Sequence, residues 1–169
     1  MTFMQTLKMA VWLGVAVVLG GCAHPQLVDM GETVQEVEAY LGEPQAKTEM
    51  PNGTERWTYS SQPYGQQVWW LFFDDSGKLV EREQGLQRKY FDVPQIGKWT
   101  EADIWAFWGK CAEKYNFPLV NEHAWMYRFL DKGGFYMAVW PQFDESGVLR
   151  SMEVTIDPWI LQDGDSLDF

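Results

Sequence analysis

Phe73-Asp74-Asp75-Ser76-Gly77-Lys78-Leu79 returns 70 residues later as Phe143-Asp144-Glu145-Ser146-Gly147-Val148-Leu149. Each copy reads as the end of one strand, a tight acidic turn whose glycine can take positive φ, and the start of the next strand. The match extends outward from there. Trp57-Thr58-Tyr59 answers to Trp125-Met126-Tyr127 at an offset of 68, and Tyr40-Leu41-Gly42 to Phe107-Trp108-Gly109 at 67. Order is kept, and the offset grows only between matched blocks, as loop insertions make it grow. The chain therefore reads as two copies of one unit.

Each copy opens with a helix whose start is legible. Thr33 with Glu36, and Thr100 with Asp103, have the spacing of a capping box. Val34, Val37 and Leu41 recur at helical spacing in the first helix. Ile104, Phe107, Trp108, Cys111 and Tyr115 form a wider apolar stripe in the second. Gly42-Glu43-Pro44 ends the first helix, whereas Gly109-Lys110-Cys111 lacks that proline. Three strands follow in each copy, at 54–61, 66–74 and 78–85 and then at 123–130, 134–143 and 148–156. In the last of these, Val148, Met152, Val154 and Ile156 share a face with Arg150, and Leu149, Ser151, Glu153 and Thr155 take the other. The expected class is α+β: two tandem α-β-β-β units, each a three-stranded antiparallel sheet with a helix packed on one face. The first unit spans 31–86 and the second 100–157. The connector 87–99 is too apolar for a flexible tether, so the units are expected to pack together, and a continuous sheet through both is one way to do so. Residues 158–169 are acidic and are expected to fray.

The N-terminus is a targeting signal. An apolar stretch from Met9 to Leu19 follows Lys8, and the small residues Gly20 and Gly21 precede Cys22. That stretch is shorter than the roughly 20 residues a membrane span needs. Leu19-Gly20-Gly21-Cys22 resembles a lipobox, in which an aliphatic and two small residues admit the chain to a signal peptidase and the cysteine sulfur takes the lipid. Residues 1–21 are then the signal peptide, Cys22 the acylated first residue of the mature chain, and 22–30 a lipidated tether. Ala23, rather than aspartate, follows the cysteine, which favours the outer membrane with the protein facing the periplasm.

Loss of residues 1–21 removes one basic residue and no acidic one, leaving 12 Lys and Arg against 24 Asp and Glu. Nucleic acid is excluded as a partner on charge, and the membrane is met through the acyl anchor rather than through anionic headgroups. With Cys22 acylated, Cys111 is the one remaining cysteine, expected to be buried, and no intramolecular disulfide can form. No catalytic pattern stands out: His123 stands alone at a strand start, and the carboxylate pairs Asp74-Asp75 and Asp144-Glu145 sit where acidic residues serve turn geometry. The chain reads as a non-enzyme with no metal site, no cofactor beyond the covalent lipid, and no small-molecule substrate.

The unusual feature is aromatic content, with ten tryptophans, nine of them in the mature chain. Val68-Trp69-Trp70-Leu71-Phe72-Phe73 places large apolar residues on both faces of one strand. Its second face either packs on the other copy or meets a partner. Trp69, Trp70, Tyr136, Trp140 and Trp159 are the candidate partner-binding residues, since aromatic anchors often dominate protein recognition.

The first copy resembles the SmpA/OmlA family of outer-membrane lipoproteins, the BamE-like components of the β-barrel assembly machine. The residues that carry the resemblance are Met30-Gly31-Glu32-Thr33, Val37, Leu41-Gly42-Glu43-Pro44, Trp57-Thr58-Tyr59, and Phe73 through Gly77 with Leu79. They cover roughly residues 22–86, in the family's order of helix then three strands, shortly after an acylated cysteine. The resemblance implies a scaffolding role in the cell envelope with another envelope protein as partner. The usual family member has one such unit and this chain has two. In that tandem arrangement it is similar to the β-lactamase inhibitory protein, which implies the competing role of an inhibitory or protein-binding module using an aromatic sheet.

Overall fold

A computed structural model describes residues 23–162. Leu19, Gly20, Gly21 and Cys22, and the tail 163–169, lie outside the described residues. The class is α+β. Helix α1 (Val34–Leu41) leads into β1 (Ala46–Glu49), β2 (Glu55–Ser60), β3 (Val68–Phe73) and β4 (Leu79–Gln84). Helix α2 (Glu101–Trp108) leads into β5 (Glu113–Phe117), β6 (Glu122–Leu130), β7 (Tyr136–Asp144) and β8 (Leu149–Ile156), and α3 (Pro158–Gln162) follows. The strands form two antiparallel sheets, each in sequential order.

Each sheet has four strands where three were expected. The additional strands, β1 and β5, read AKTE and EKYNF, with too little apolar alternation to stand out. Both are edge strands, where charge guards unpaired backbone against other chains. Nor is there a continuous sheet, because α2 stands between the two.

The duplication extends to single hydrogen bonds. Thr33 N donates to Glu36 Oε2 (2.8 Å) and Thr100 N to Asp103 Oδ2 (2.7 Å), so both capping boxes form. Tyr59 OH donates to Gly42 O (2.9 Å) and Tyr127 OH to Gly109 O (2.8 Å). Gly42 and Gly109 both take positive φ, 81° and 67°, so the glycine alone suffices to end the second helix. This corrects the helical stripe through Cys111 and Tyr115: Cys111 is buried in the loop after α2, and Tyr115 lies on β5. Both sheets carry the same bulge. Phe72 pairs with Glu81 and Phe73 with Leu79; Gln142 pairs with Ser151 and Phe143 with Leu149. The extra residue reverses the alternation, so Leu149 joins Met152 and Val154 in the core instead of the polar face.

The core has two parts. The smaller, with Val37, Trp57, Tyr59, Leu71, Phe73 and Leu79, fills the space between α1 and one face of the first sheet. The larger draws on both units: Val68 and Trp70, then Leu86 and Phe91 around the connector, then Ile104, Phe107 and Trp108 of α2 with Trp125, Tyr127, Phe129, Val139 and Phe143. The first and last described segments are both tied to the sheets. His24 Nε2 bonds Gln67 Oε1 (3.1 Å), and Val28 is buried in the smaller core. At the other end Asp157 is fully buried and accepts from Arg128 Nε (2.7 Å), while Trp159 of α3 lies over the same guanidinium (4.1 Å). Among the described residues no helix is long and apolar enough to cross a membrane.

Candidate functional site

A helix leaves its last carbonyls without donors of its own. In α2 those donors come from the first unit, from the sheet face turned away from α1. Ala106 O accepts from Arg56 Nη2 (3.2 Å) and Thr58 Oγ1 (2.9 Å), and Phe107 O from Trp70 Nε1 (2.6 Å). Just past the helix, Lys110 O accepts from Ser60 Oγ (2.6 Å). The pairing of β2 with β3 sets Thr58 opposite Trp70 and Arg56 opposite Phe72, so these donors stand side by side on one face. The positive guanidinium also complements the negative end of the helix.

Helix α2 covers only part of this face. Beside it lies a groove of about 510 Å³, walled by Trp70, Phe72, Tyr90, Val93, Trp99, Ala106 and Phe107. Met50, Pro51, Glu49, Glu81, Glu83 and Asp103 also line it. The walls hold one another in place: Trp70 packs on Tyr90 and on Phe107 with ring centroids 4.7 Å apart in each case, and Trp99 packs edge-on to Phe107 at 5.2 Å.

Arg56 is the polar group of this apolar site. It is 7% exposed, and its guanidinium lies 5.1 Å from the Trp70 ring and 5.3 Å from the Phe107 ring. Its Nε and the Oγ1 of Thr48 are buried without hydrogen-bond partners. Burial pulls the Arg56 pKa down to about 10, which still leaves a cation at neutral pH. Among the described residues no carboxylate forms an ion pair with it. Of the acidic lining residues, Glu83 is taken by Lys89 (2.6 Å) and Asp103 by the α2 cap. The arrangement can recognise: flat walls accept a bulky apolar group, and the Arg56 guanidinium places a positive charge in the lining.

The five aromatics singled out from sequence do not form one surface. Trp70 is buried, 4% exposed, at the junction of the two units and in the groove wall. Trp69 lies on the opposite face of β3, half-buried, its Nε1 bonded to Gln67 and its ring edge-on to His24. Trp140 and Trp159 are half-buried on the far face of the second sheet, Trp140 packed on Tyr115 at 5.4 Å and Trp159 on Arg128. Burial, with the Glu113 hydrogen bond, pushes the Tyr115 pKa up to about 12. Tyr136 is exposed at the start of β7.

Arg56, Phe72, Trp99 and Phe107 went unselected. Phe72 and Phe107 had a signal in their apolar patterns, whereas nothing local marks Arg56, whose partner is backbone 50 residues away. His123 bonds Glu101 Oε1 (3.0 Å) and stacks on Phe143. Asp74 and Asp144 each accept from the serine two residues on and from the backbone N–H four residues on, the work of a turn residue.

No protein-family model matches this chain, and no curated protein sequence matches it. Among solved structures it is similar to a DUF4309 family protein (YjgB) from Bacillus subtilis, with 15% identity and a TM-score of 0.31, over 75% of this chain and 79% of that one.

Proposed function

We propose that this chain is an envelope lipoprotein, anchored in the outer membrane through acylated Cys22 and facing the periplasm, that works without catalysis as a protein-binding or scaffolding component. BamE-like assistance in outer-membrane protein assembly is the specific form. The finer architecture behind it is a tandem pair of SmpA/OmlA-like units, each extended by one edge strand. The observation that carries the binding role is the groove at the junction of the units, where the Arg56 cation sits among aromatic walls. A partner segment with a bulky apolar side chain and a carboxylate beside it would complement both the walls and the cation. The lipobox and the family motifs of residues 30–79 support the envelope setting.

A photo-crosslinker in place of Val93, at the groove, tests this in the acylated protein. Adducts with barrel-assembly components that disappear in Arg56→Met support scaffolding, and adducts confined to positions outside the groove overturn it. Globomycin should cause an unprocessed precursor to accumulate; release of unacylated mature protein would remove the anchor. A second reading, the inhibitory module, is favoured by one observation: Tyr115, Trp140 and Trp159 lie together on a partly exposed face of the second sheet. Capture of one soluble enzyme through that face, lost in Trp140→Ala, would select it.

A further inference from the structure

Ala23, His24 and Pro25 sit against Ser60 and Ser61, at the end of the molecule where β2 turns back into β3. Cys22 is one residue further, about 3.8 Å between Cα atoms. The β6–β7 hairpin and the exit of β8 share this end. Gln62 Nε2 donates to Arg128 O (2.6 Å), Arg88 Nε to Asp131 Oδ2 (2.9 Å), and Asp157 N to Tyr136 O (3.1 Å). Around these contacts large apolar side chains face solvent: Tyr64 is 87% exposed, Phe135 68% and Leu161 65%, and Leu130, Tyr136 and Ile156 are each half exposed. An apolar cluster of this kind on an otherwise acidic protein marks an interaction surface.

Charge separates this end from the opposite one. Arg88, Lys89 and Lys132 gather beside the β6–β7 hairpin, Arg88 paired with Asp131 and Lys89 with Glu83, so this end is close to charge balance although acidic residues outnumber basic ones two to one in the mature chain. The β5–β6 hairpin at the opposite end also exposes Leu119 and Val120, but its neighbours are Glu122, Asp144 and Glu145.

We propose that the end bearing Ala23 lies on the surface of the lipid bilayer, with Tyr64, Leu130, Phe135, Tyr136, Ile156 and Leu161 set into the headgroup region beside the acyl anchor. This rests on the lipoprotein reading of Cys22. Tyrosine rings are suited to the headgroup level, and lysine and arginine stems lie along an apolar surface while their charges stay in water. The acidic net charge gives no attraction to anionic lipid, so the contact is with a zwitterionic surface and draws on apolar burial beside a chain end already held there. Both sheets then stand end-on to the membrane. The groove lining at Met50 and Pro51, on the hairpin at the opposite end of the first sheet, then lies away from the bilayer.

Hydrogen exchange of the acylated protein on vesicles of phosphatidylcholine and phosphatidylethanolamine, at lipid excess, tests this. Amides in 61–66 and 130–136 should exchange at least about threefold more slowly than in the Phe135→Glu/Leu161→Glu variant on the same vesicles, while 117–122 exchanges alike in both. Both substituted residues are exposed, so far-ultraviolet circular dichroism should show the variant folded. Equal exchange in 61–66 and 130–136 with and without vesicles would overturn the proposal, as would slowing at 117–122 instead. Acylation is read separately from the intact mass. A mass without acyl chains removes the anchor, and the exchange pattern still decides the bilayer contact.

Discussion

Helix α1 buries one residue, Val37, whereas α2, at the same place in the repeat and of the same length, buries Ile104, Phe107 and Trp108. The difference follows from what surrounds each. Helix α1 meets its own sheet and is otherwise open, with Glu38, Ala39 and Tyr40 facing solvent. Helix α2 packs on its own sheet through Ile104 and Trp108 and is gripped on its other side by Arg56, Thr58 and Trp70 of the first. A helix apolar around most of its circumference belongs between two layers. A duplicated unit thus becomes one molecule by making one helix two-sided, and the first sheet's second face is partly buried as a result. Among the described residues the second sheet receives only the short α3: its equivalent face carries Trp140 where the first carries Trp70, covered only in part by Trp159.

The largest expected effect tests the two-sided helix. Trp108→Ala should cost about 3–5 kcal/mol, because a fully buried ring is lost between Phe91, Phe107 and Tyr127. Val37→Ala in α1 should cost about 2 kcal/mol. Urea unfolding followed by circular dichroism measures both, and equal costs would break the comparison.

Two buried arginines sharpen it. Arg128 in the second unit is paired with Asp157, and Arg128→Met should cost about 3–5 kcal/mol because a fully buried carboxylate is left alone. Restoring much of that loss by adding Asp157→Leu would identify the stranded charge as the cause. Arg56 in the first unit has no such partner, and Thr58 still serves Ala106 O in its absence. Arg56→Met should therefore change stability by less than about 1 kcal/mol, so that its effect on crosslinking reports on the groove. The aromatic pair follows the same logic. Trp70→Phe should cost about 1–3 kcal/mol, since Phe107 O loses its donor in the interior, and Trp140→Phe less than about 0.5 kcal/mol, since Thr155 is exposed.

The features readable from sequence were those whose causes are local. Thr33 with Glu36 and Thr100 with Asp103 cap helices with groups three residues apart, and Gly77 and Gly147 turn hairpins within five. What escaped reading depends on distant partners. Strands β1 and β5 are strands because β2 and β6 offer them an edge, not because of their own composition. Leu149 changes face through one bulged residue that alternation cannot foresee. The groove combines β2, β3, the connector and α2, and Arg56 becomes a site residue only because the end of a helix from the other unit arrives there.

The smallest expected effect concerns what the two units keep in common. The backbone N–H of Lys78, first, and the Ser76 hydroxyl hold the Asp74 pKa below its ordinary 3.8; the Ser146 hydroxyl, first, and the Val148 N–H do the same for Asp144. A carboxyl whose pKa is lower in the folded than in the unfolded chain binds protons more weakly when folded. It contributes stability above the unfolded value, and that contribution is lost as pH falls through the folded one. The loss should therefore fall below about pH 4 and leave neutral pH untouched. Asn in place of either aspartate keeps an oxygen acceptor but removes the proton linkage, so Asp74→Asn and Asp144→Asn should each flatten the acid limb of a stability-against-pH curve, and by the same amount. A flattening confined to one variant would mean that the turns, alike in every hydrogen bond, are no longer alike in energy, and that divergence between the units has reached even the stretch by which they are recognised as copies.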